Sequence, residues 1–312
     1  MFISNLHLNN LLTNIFYILI KIIKFKKFIM KIDFKFVPSF STSINPNFKK
    51  SIFFMHIPKS GGTTIDHIFI KLSNILKNFN FIRCKYDSDT SKIRSFSNLN
   101  NNPKPIFLSG HLDYDFTDNL KNFFKCTIVR EPVSRVISHY KFNIFKMKKT
   151  PQTYSFENFI NDEVNSNRDN LITRHFCGLL NKNIEISNND KKNAIKNIHN
   201  FDSISTIENW DNFLSDILTE FGLPSIIYSK FQQHNYDFSY HPSKKDLDLI
   251  KENFGYDIEF YSNVSERKYN IKFKRTQEYN KDICIVSPFL NVENKLFSDE
   301  EVKKLLIKKN EI

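Results

Sequence analysis

Six consecutive residues, Lys59-Ser60-Gly61-Gly62-Thr63-Thr64, are of the types that gather around a small anion. The lysine supplies a point charge, the glycines let the backbone come close and adopt φ > 0, and the threonines offer hydroxyl donors or a helix cap. Further along, Arg130 is followed eight residues later by Ser138, and an arginine fork with a serine hydroxyl can grip a second phosphate. Between the two lies Ser109-Gly110-His111, with a histidine whose ordinary titration range suits it to take a proton from a hydroxyl. Two anion grips and a base would serve to move a charged group from an anionic donor to a hydroxyl acceptor.

The surrounding sequence must bring these groups to one place. Residues 52–57 form an apolar run of strand type, Pro58 breaks it, and residues 65–76 have helical spacing. A buried strand that turns through glycines into a helix aims successive backbone N–H groups, and the positive end of the helix dipole, at one point. That point is a phosphate or sulfate site. The order is not the G-x-x-x-x-G-K-[ST] loop of the NTPases, because the lysine precedes the glycines and no Gly-Lys-Ser/Thr triplet follows. Taken alone, the six residues also fit a glycine turn that merely joins strand to helix, with Lys59 in solvent. Residues 123–129 repeat the pattern: an apolar strand ends in Arg130, Glu131-Pro132 turns the chain with the proline suited to the first helical position, and a helix over 133–146 carries Ser138. In isolation this segment reads equally well as a core strand and an amphipathic helix whose Arg130 and Ser138 face water; the two elements together are much harder to ascribe to accident. Residues 106–108 are a further strand, delivering His111 at its carboxyl end. Ligands of open α/β sheets bind at that edge, so His111 is expected in the same crevice as Lys59 and Arg130.

The segments HIPKSGGTT and TIVREPVSRVISHY resemble the paired nucleotide-binding elements of the sulfotransferases that use 3′-phosphoadenosine 5′-phosphosulfate (PAPS), in the branch related to heparan sulfate 2-O-sulfotransferase and other Golgi carbohydrate sulfotransferases. Weaker similarity continues at residues 108–111 (LSGH), 170–178 (NLITRHFCG) and 256–261 (YDIEFY), so the resemblance covers about residues 51–264. It implies a P-loop-like α/β fold with a central, mainly parallel sheet flanked by helices and a helical second half. It also implies that Lys59, Ser60, Gly61, Gly62, Thr63 and Thr64 wrap the 5′-phosphosulfate, that Arg130 and Ser138 hold the 3′-phosphate, and that His111 is the catalytic base. Lys59 would have a catalytic role too, stabilising the charge that develops on the departing nucleotide. The acceptor implied is a carbohydrate hydroxyl. The chemistry requires no metal, and no nucleic-acid partner is expected.

Other candidates fit plainer roles. His56 reads as a structural histidine that shapes the loop, Asp66 as a favourable charge in the first turn of its helix, and His67 and His139 as helix residues away from the crevice. Asp113 and Asp115 could replace or orient His111. Arg174, a single arginine on a helix, reads as solvated or paired. Cys84, Cys126, Cys177 and Cys284 are widely spaced with no C-x-x-C, so zinc or redox chemistry is unsupported and a reduced compartment fits. Cys126, inside an apolar strand, reads as a buried small residue.

The formal charge of +12 favours anionic ligands, even after discounting the Lys-, Asn- and Ile-rich bias of an AT-rich coding sequence. One large domain is expected over 49–264, preceded by a basic extension and linker at 1–48 and followed by a motif-free extension at 265–312. Within the first of these, the apolar run 11–20 is followed by Lys21, Lys24, Lys26 and Lys27. It is too short to span a bilayer and lacks a signal-type cleavage site. Residues 11–30 therefore read as an amphipathic helix on an anionic membrane surface, or packed on the domain. A cytoplasmic or peripheral membrane location is expected in preference to a Golgi-like lumen. Helical spacing recurs at 156–161, 170–180, 190–200, 210–221 and 244–261, with a short strand at 203–207. Two rival functions share the topology. A nucleotide kinase or other phosphotransferase is disfavoured by the missing Gly-Lys-Ser/Thr and the missing metal-binding Asp after an apolar strand; a non-catalytic, membrane-associated nucleotide-binding protein is disfavoured by the intact Lys59 and His111.

Overall fold

The computed structural model describes residues 34–36, 50–84, 99, 102–223, 226–229, 238–266, 276–280 and 283–286. The amphipathic segment expected at 11–30 lies outside them, and among the described residues no helix is long and apolar enough to cross a membrane. A short strand, β1 (Phe34–Phe36), precedes the main sheet. In that sheet β2 (Ser51–Met55), β4 (Ile106–Gly110) and β5 (Phe123–Val129) are apolar runs with almost every residue buried. Such runs are what parallel strands need when both faces are covered. With β3 (Asn80–Cys84) and β6 (Ser203–Thr206) they form an all-parallel sheet in the order β3-β4-β2-β5-β6. Met55 lies opposite Gly110 on one side and Thr127 on the other. The carboxyl ends of β2 and β4 are thereby levelled, β5 runs two residues further, and the residues just beyond them leave the sheet along one edge. From β2 the chain turns toward the β3 side, and from β5 toward the β6 side. The place where a doubly wound sheet binds its ligand thus falls beside β2.

Helices cover both faces. α1 (Gly62–Leu76) follows β2 and packs with α6 (Trp210–Glu220) over Ile52, Phe54, Phe107, Cys126 and Ile128. Phe69 of α1 stacks on Phe107, ring centroids 3.9 Å apart. The alternate residues Phe53 and Met55 face the opposite layer, where they join Ile172 and Phe176 of α4 (Leu171–Cys177), Ala194 of α5 (Asn188–Asn197) and Phe260 of α8 (Gly255–Ser265). A third apolar cluster joins α2 (Pro132–Met147), α3 (Phe156–Asn165) and α7 (Lys244–Asn253) through Tyr140, Phe159, Ile250 and Phe254. A smaller antiparallel sheet, β1-β7-β9-β8, is made by β7 (Ile226–Ser229), β8 (Thr276–Asn280) and β9 (Ile283–Val286) together with β1. Ile226 anchors it to the α1–α6 core. Its strands come from both sides of the limits expected at 48 and 264.

The helix read from spacing over 244–261 is two helices. Phe254, buried in the third cluster, leaves the helical region at φ −120°, and Asn170 occupies the junction. Its side-chain oxygen accepts from the amides of Tyr256 and Asp257, which starts α8, while its amide group donates to the carbonyl of Asn253, which finishes α7. Other ends shift by a few residues. α3 continues to Asn165, and α4 stops at Cys177, where Gly178 turns left-handed at φ 71°. α5 begins at Asn188 behind a Ser187–Asp190 capping box.

Candidate active site

β2 continues its pairing for one residue past its end, the His56 amide donating to the Gly110 carbonyl at 2.8 Å. The chain then turns through Pro58 with two left-handed residues, Lys59 at φ 66° and Gly61 at φ 82°. Left-handed backbone is costly for a lysine, by about 1 kcal/mol or more, and persists where the surroundings demand it. Gly61 is the N-cap of α1, and no side chain caps that terminus. The first-turn amides of α1 and its dipole therefore face the crevice without a built-in anion. Gly62 is required by contact: a Cβ there would lie 2.3 Å from Cδ2 of the buried His56 ring. Thr63 and Thr64 are half-buried at the start of α1. Ser60 behaves differently from its neighbours. Its side chain is buried, its hydroxyl has no hydrogen-bond partner among the described residues, and its amide donates to Ile57 at 3.3 Å.

The second element arrives beside the first. Lys59 reaches α2, where its Nζ sits 4.3 Å from the centre of the Phe142 ring. Burial, and then the charge of Arg130, bring the Lys59 ammonium from its ordinary 10.5 down to about 8. Two segments far apart in the chain thus place two cations close enough to repel one another. Arg130 is half-buried immediately after β5, and Ser138 is half-buried on α2. The α2 N-terminus differs from that of α1, because the Glu131 carboxylate accepts from the amides of Val133 at 2.9 Å and Ser134 at 2.7 Å. Any anion held at α2 must therefore rely on side chains such as Arg130 and Ser138, whereas α1 can offer backbone amides.

His111 leaves β4 at the same edge. Gly110 before it lets β3 approach, since a Cβ there would lie 2.9 Å from the Cys84 carbonyl oxygen, and the His111 amide donates to that carbonyl at 3.2 Å. The ring nitrogen Nδ1 is 2.7 Å from the carbonyl oxygen of His56. A carbonyl only accepts, so Nδ1 carries the proton and Nε2 is the basic nitrogen. Burial and then the proximity of His56 push His111 down to about 4, so the ring is neutral at physiological pH.

The remaining candidates take structural places. Asp115 is exposed and ion-paired with Lys182 at 3.1 Å, and Asp113 begins the turn Tyr114–Asn119. His139 pairs with Glu163 at 3.3 Å, and His67 is buried. Arg174 is buried and spent on Asp169 and the Ile184 carbonyl. Cys126 is buried in β5, as its setting predicts. Asp66 departs from expectation. It lies beyond the first turn, fully buried, accepting from Ser109 Oγ and placed 3.2 Å from Nδ1 of His56 and 3.1 Å from Nε of Arg83. Its one signal in the sequence is a charge on the same helix face as Ile65 and Phe69, where an unpaired carboxylate would be costly. Among the described residues no group of three His, Cys, Asp or Glu side chains is arranged to hold a metal.

A parallel doubly wound sheet with a glycine loop, a second cationic element and a histidine on its carboxyl edge defines an α/β protein with its candidate site along that edge. A model of the sulfotransferase family matches residues 43–279, including both elements and His111, and the chain belongs to that family. It is similar to a protein-tyrosine sulfotransferase of Arabidopsis thaliana, with 35% identity over 101 residues, 31% of this chain. That match spans 18% of the relative's own length.

Proposed function

We propose that the protein transfers the sulfuryl group of PAPS to a hydroxyl acceptor. The observation that carries this reading is the glycine loop brought against the second element, with Lys59 Nζ 4.3 Å from the Phe142 ring of α2 and repelled by Arg130, beside a helix whose N-cap is Gly61 and whose first turn holds no acidic residue. A polyanion relieves that repulsion, and the donor set matches a nucleotide phosphorylated at both ends. Lys59, the α1 amides and the hydroxyls of Thr63 and Thr64 face the 5′ end, with Gly61 and Gly62 allowing the close approach. Arg130 and Ser138 take the 3′-phosphate. Ser60 acts through the shape of the loop, its buried hydroxyl lying beneath it. Nε2 of His111 takes the acceptor's proton as the hydroxyl attacks sulfur, and Lys59 stabilises charge on the departing phosphate oxygen.

Calorimetry tests the donor site. Adenosine 3′,5′-bisphosphate is expected to bind without magnesium, and Arg130→Ala to weaken it roughly 10–100-fold, the cost of a charge-assisted contact. His111→Ala keeps that affinity and loses transfer. Preference for magnesium ATP would overturn the reading in favour of a phosphotransferase. For the acceptor we propose a carbohydrate hydroxyl, supported by the resemblance of both nucleotide elements to the carbohydrate branch. The likeness to a protein-tyrosine sulfotransferase favours a second reading, a tyrosyl hydroxyl. Offering radiolabelled PAPS with desulfated glycans and with tyrosine-containing peptides decides between them.

A further inference from the structure

The reading above leaves Asp66 without a role, although its carboxylate is fully buried on the helix that follows the loop. It projects from α1, and three strand ends converge on it. Ser109 of β4 donates its hydroxyl, His56 just past β2 lies 3.2 Å away, and Arg83 of β3 lies 3.1 Å away. β3, β4 and β2 are consecutive neighbours in the sheet, so one carboxylate ties the helix that follows the glycine loop to three adjacent strands. Burial alone would raise its pKa, but the contacts with His56, Arg83 and Ser109 outweigh it and hold Asp66 below the ordinary carboxylate range. An ionised, buried carboxylate of this kind resists displacement, because moving any partner leaves the charge uncompensated.

His111 is one step away by two routes. It stands two residues after Ser109, and its Nδ1 bonds the His56 carbonyl while the two rings lie 4.5 Å apart. The same His56 ring fills the space against Gly62. We infer that Asp66 is a positioning residue for His111: by clamping His56, Ser109 and Arg83 it fixes the orientation and tautomer of the base relative to the loop that holds the donor. This rests on the reading of His111 as the base. The titratable groups facing His111 are His56 from β2, Asp66 from α1, Arg83 from β3 and His175 from α4.

The experiment uses the full chain with labelled histidine, His111 resonances being assigned from His111→Gln, and compares wild type with Asp66→Asn. Asparagine keeps the size and an acceptor for Ser109 but removes the charge. Calorimetric affinity for adenosine 3′,5′-bisphosphate is expected to change less than about threefold, while kcat falls about 10–100-fold, the range for losing a histidine's orienting partner. In the spectrum, the wild-type Nδ1–H form of His111 gives way to mixed tautomers. An unchanged His111 tautomer, or an unchanged kcat, overturns the inference. If His111→Gln keeps full transfer while Asp66→Asn still disturbs the His111 tautomer, the clamp stands and the assignment of the base fails. Should Asp66→Asn not fold, Ser109→Ala removes one donor and leaves the ion contacts; loss of the single tautomer there supports the clamp, and its persistence overturns it.

Discussion

Burial and the Arg130 charge bring Lys59 to about 8, and burial brings His111 to about 4. On the proposed reading of Lys59 as the charge stabiliser and His111 as the base, both are in their working forms between those values. In the free protein, kcat/KM is expected to be flat from about pH 5 to pH 7, falling below 4 as His111 is protonated and above 8 as Lys59 loses its proton. Bound bisphosphate adds negative charge beside Lys59 and should move the alkaline limb upward, which a pH series at saturating donor would reveal. Stability follows the same groups and rises with pH through both of their windows. Between about 8 and 10.5 the unfolded chain holds the Lys59 proton that the folded chain has lost, so Lys59 makes the ligand-free protein more stable as pH rises through that window. The neutral, buried His111 and His175 contribute stability that is present above 6.5 and lost as pH falls toward 4 and about 3. Glycine at 62 is demanded by the His56 ring, so Gly62→Ala should cost about 1–3 kcal/mol by overpacking and weaken bisphosphate binding; thermal melts and calorimetry check both. At this scale the sequence marks Lys59, the glycines, Arg130 and His111 through residue type and order. Asp66 was illegible because its partners Ser109, Arg83 and His56 come from three different strands, and local spacing records none of them.

At the scale of elements, each strand and helix of the site is legible from apolar runs, from Pro132 at a helix start and from the glycines that break them. Interrupted helices are not, because their breaks are imposed from elsewhere. The junction of α7 and α8 exists where Asn170 supplies acceptor and donor to two helix ends, and its one local signal is Gly255, a lone glycine that a continuous helix also tolerates. Asn170→Ala strands the buried Asp257 amide and uncaps both helices. It is expected to lower stability by about 2 kcal/mol or more, seen as a lower denaturant midpoint with an unchanged m-value. Glu131 shows the complementary case. Its carboxylate, two and three residues ahead of the amides it caps, is a local device that the Glu-Pro pair announces, and it explains why the two helix termini of the site are not equivalent anion binders.

For the whole molecule, the parallel sheet follows from alternating strands and helices, whereas the antiparallel β1-β7-β9-β8 sheet draws on segments that carry no motif and lie far apart in the chain. The half of the chain that carries the glycine loop and the helical half are locked by a buried pair. Arg135 of α2 lies 3.6 Å from Asp257 of α8, both screened from solvent, and Asp257 also accepts from the amides of Ile172 and Thr173. Burial raises Asp257 even against that company, which shows how little the surroundings tolerate an unmatched charge. Asp257→Ala would leave Arg135 with only the more distant charge of Glu163, its Nε and Nη1 lacking hydrogen-bond partners among the described residues, and is expected to cost about 3–5 kcal/mol, enough to lose the soluble folded protein at 37 °C.

The same pair dictates an order of events during synthesis. Arg135 leaves the ribosome with the half that carries the glycine loop, but the carboxylate that makes its burial tolerable arrives only with α8. At about 5–20 residues per second, α2 must wait on the order of ten seconds with its arginine in water, so the nascent chain cannot finish packing the helix that carries Ser138 until α8 has been translated.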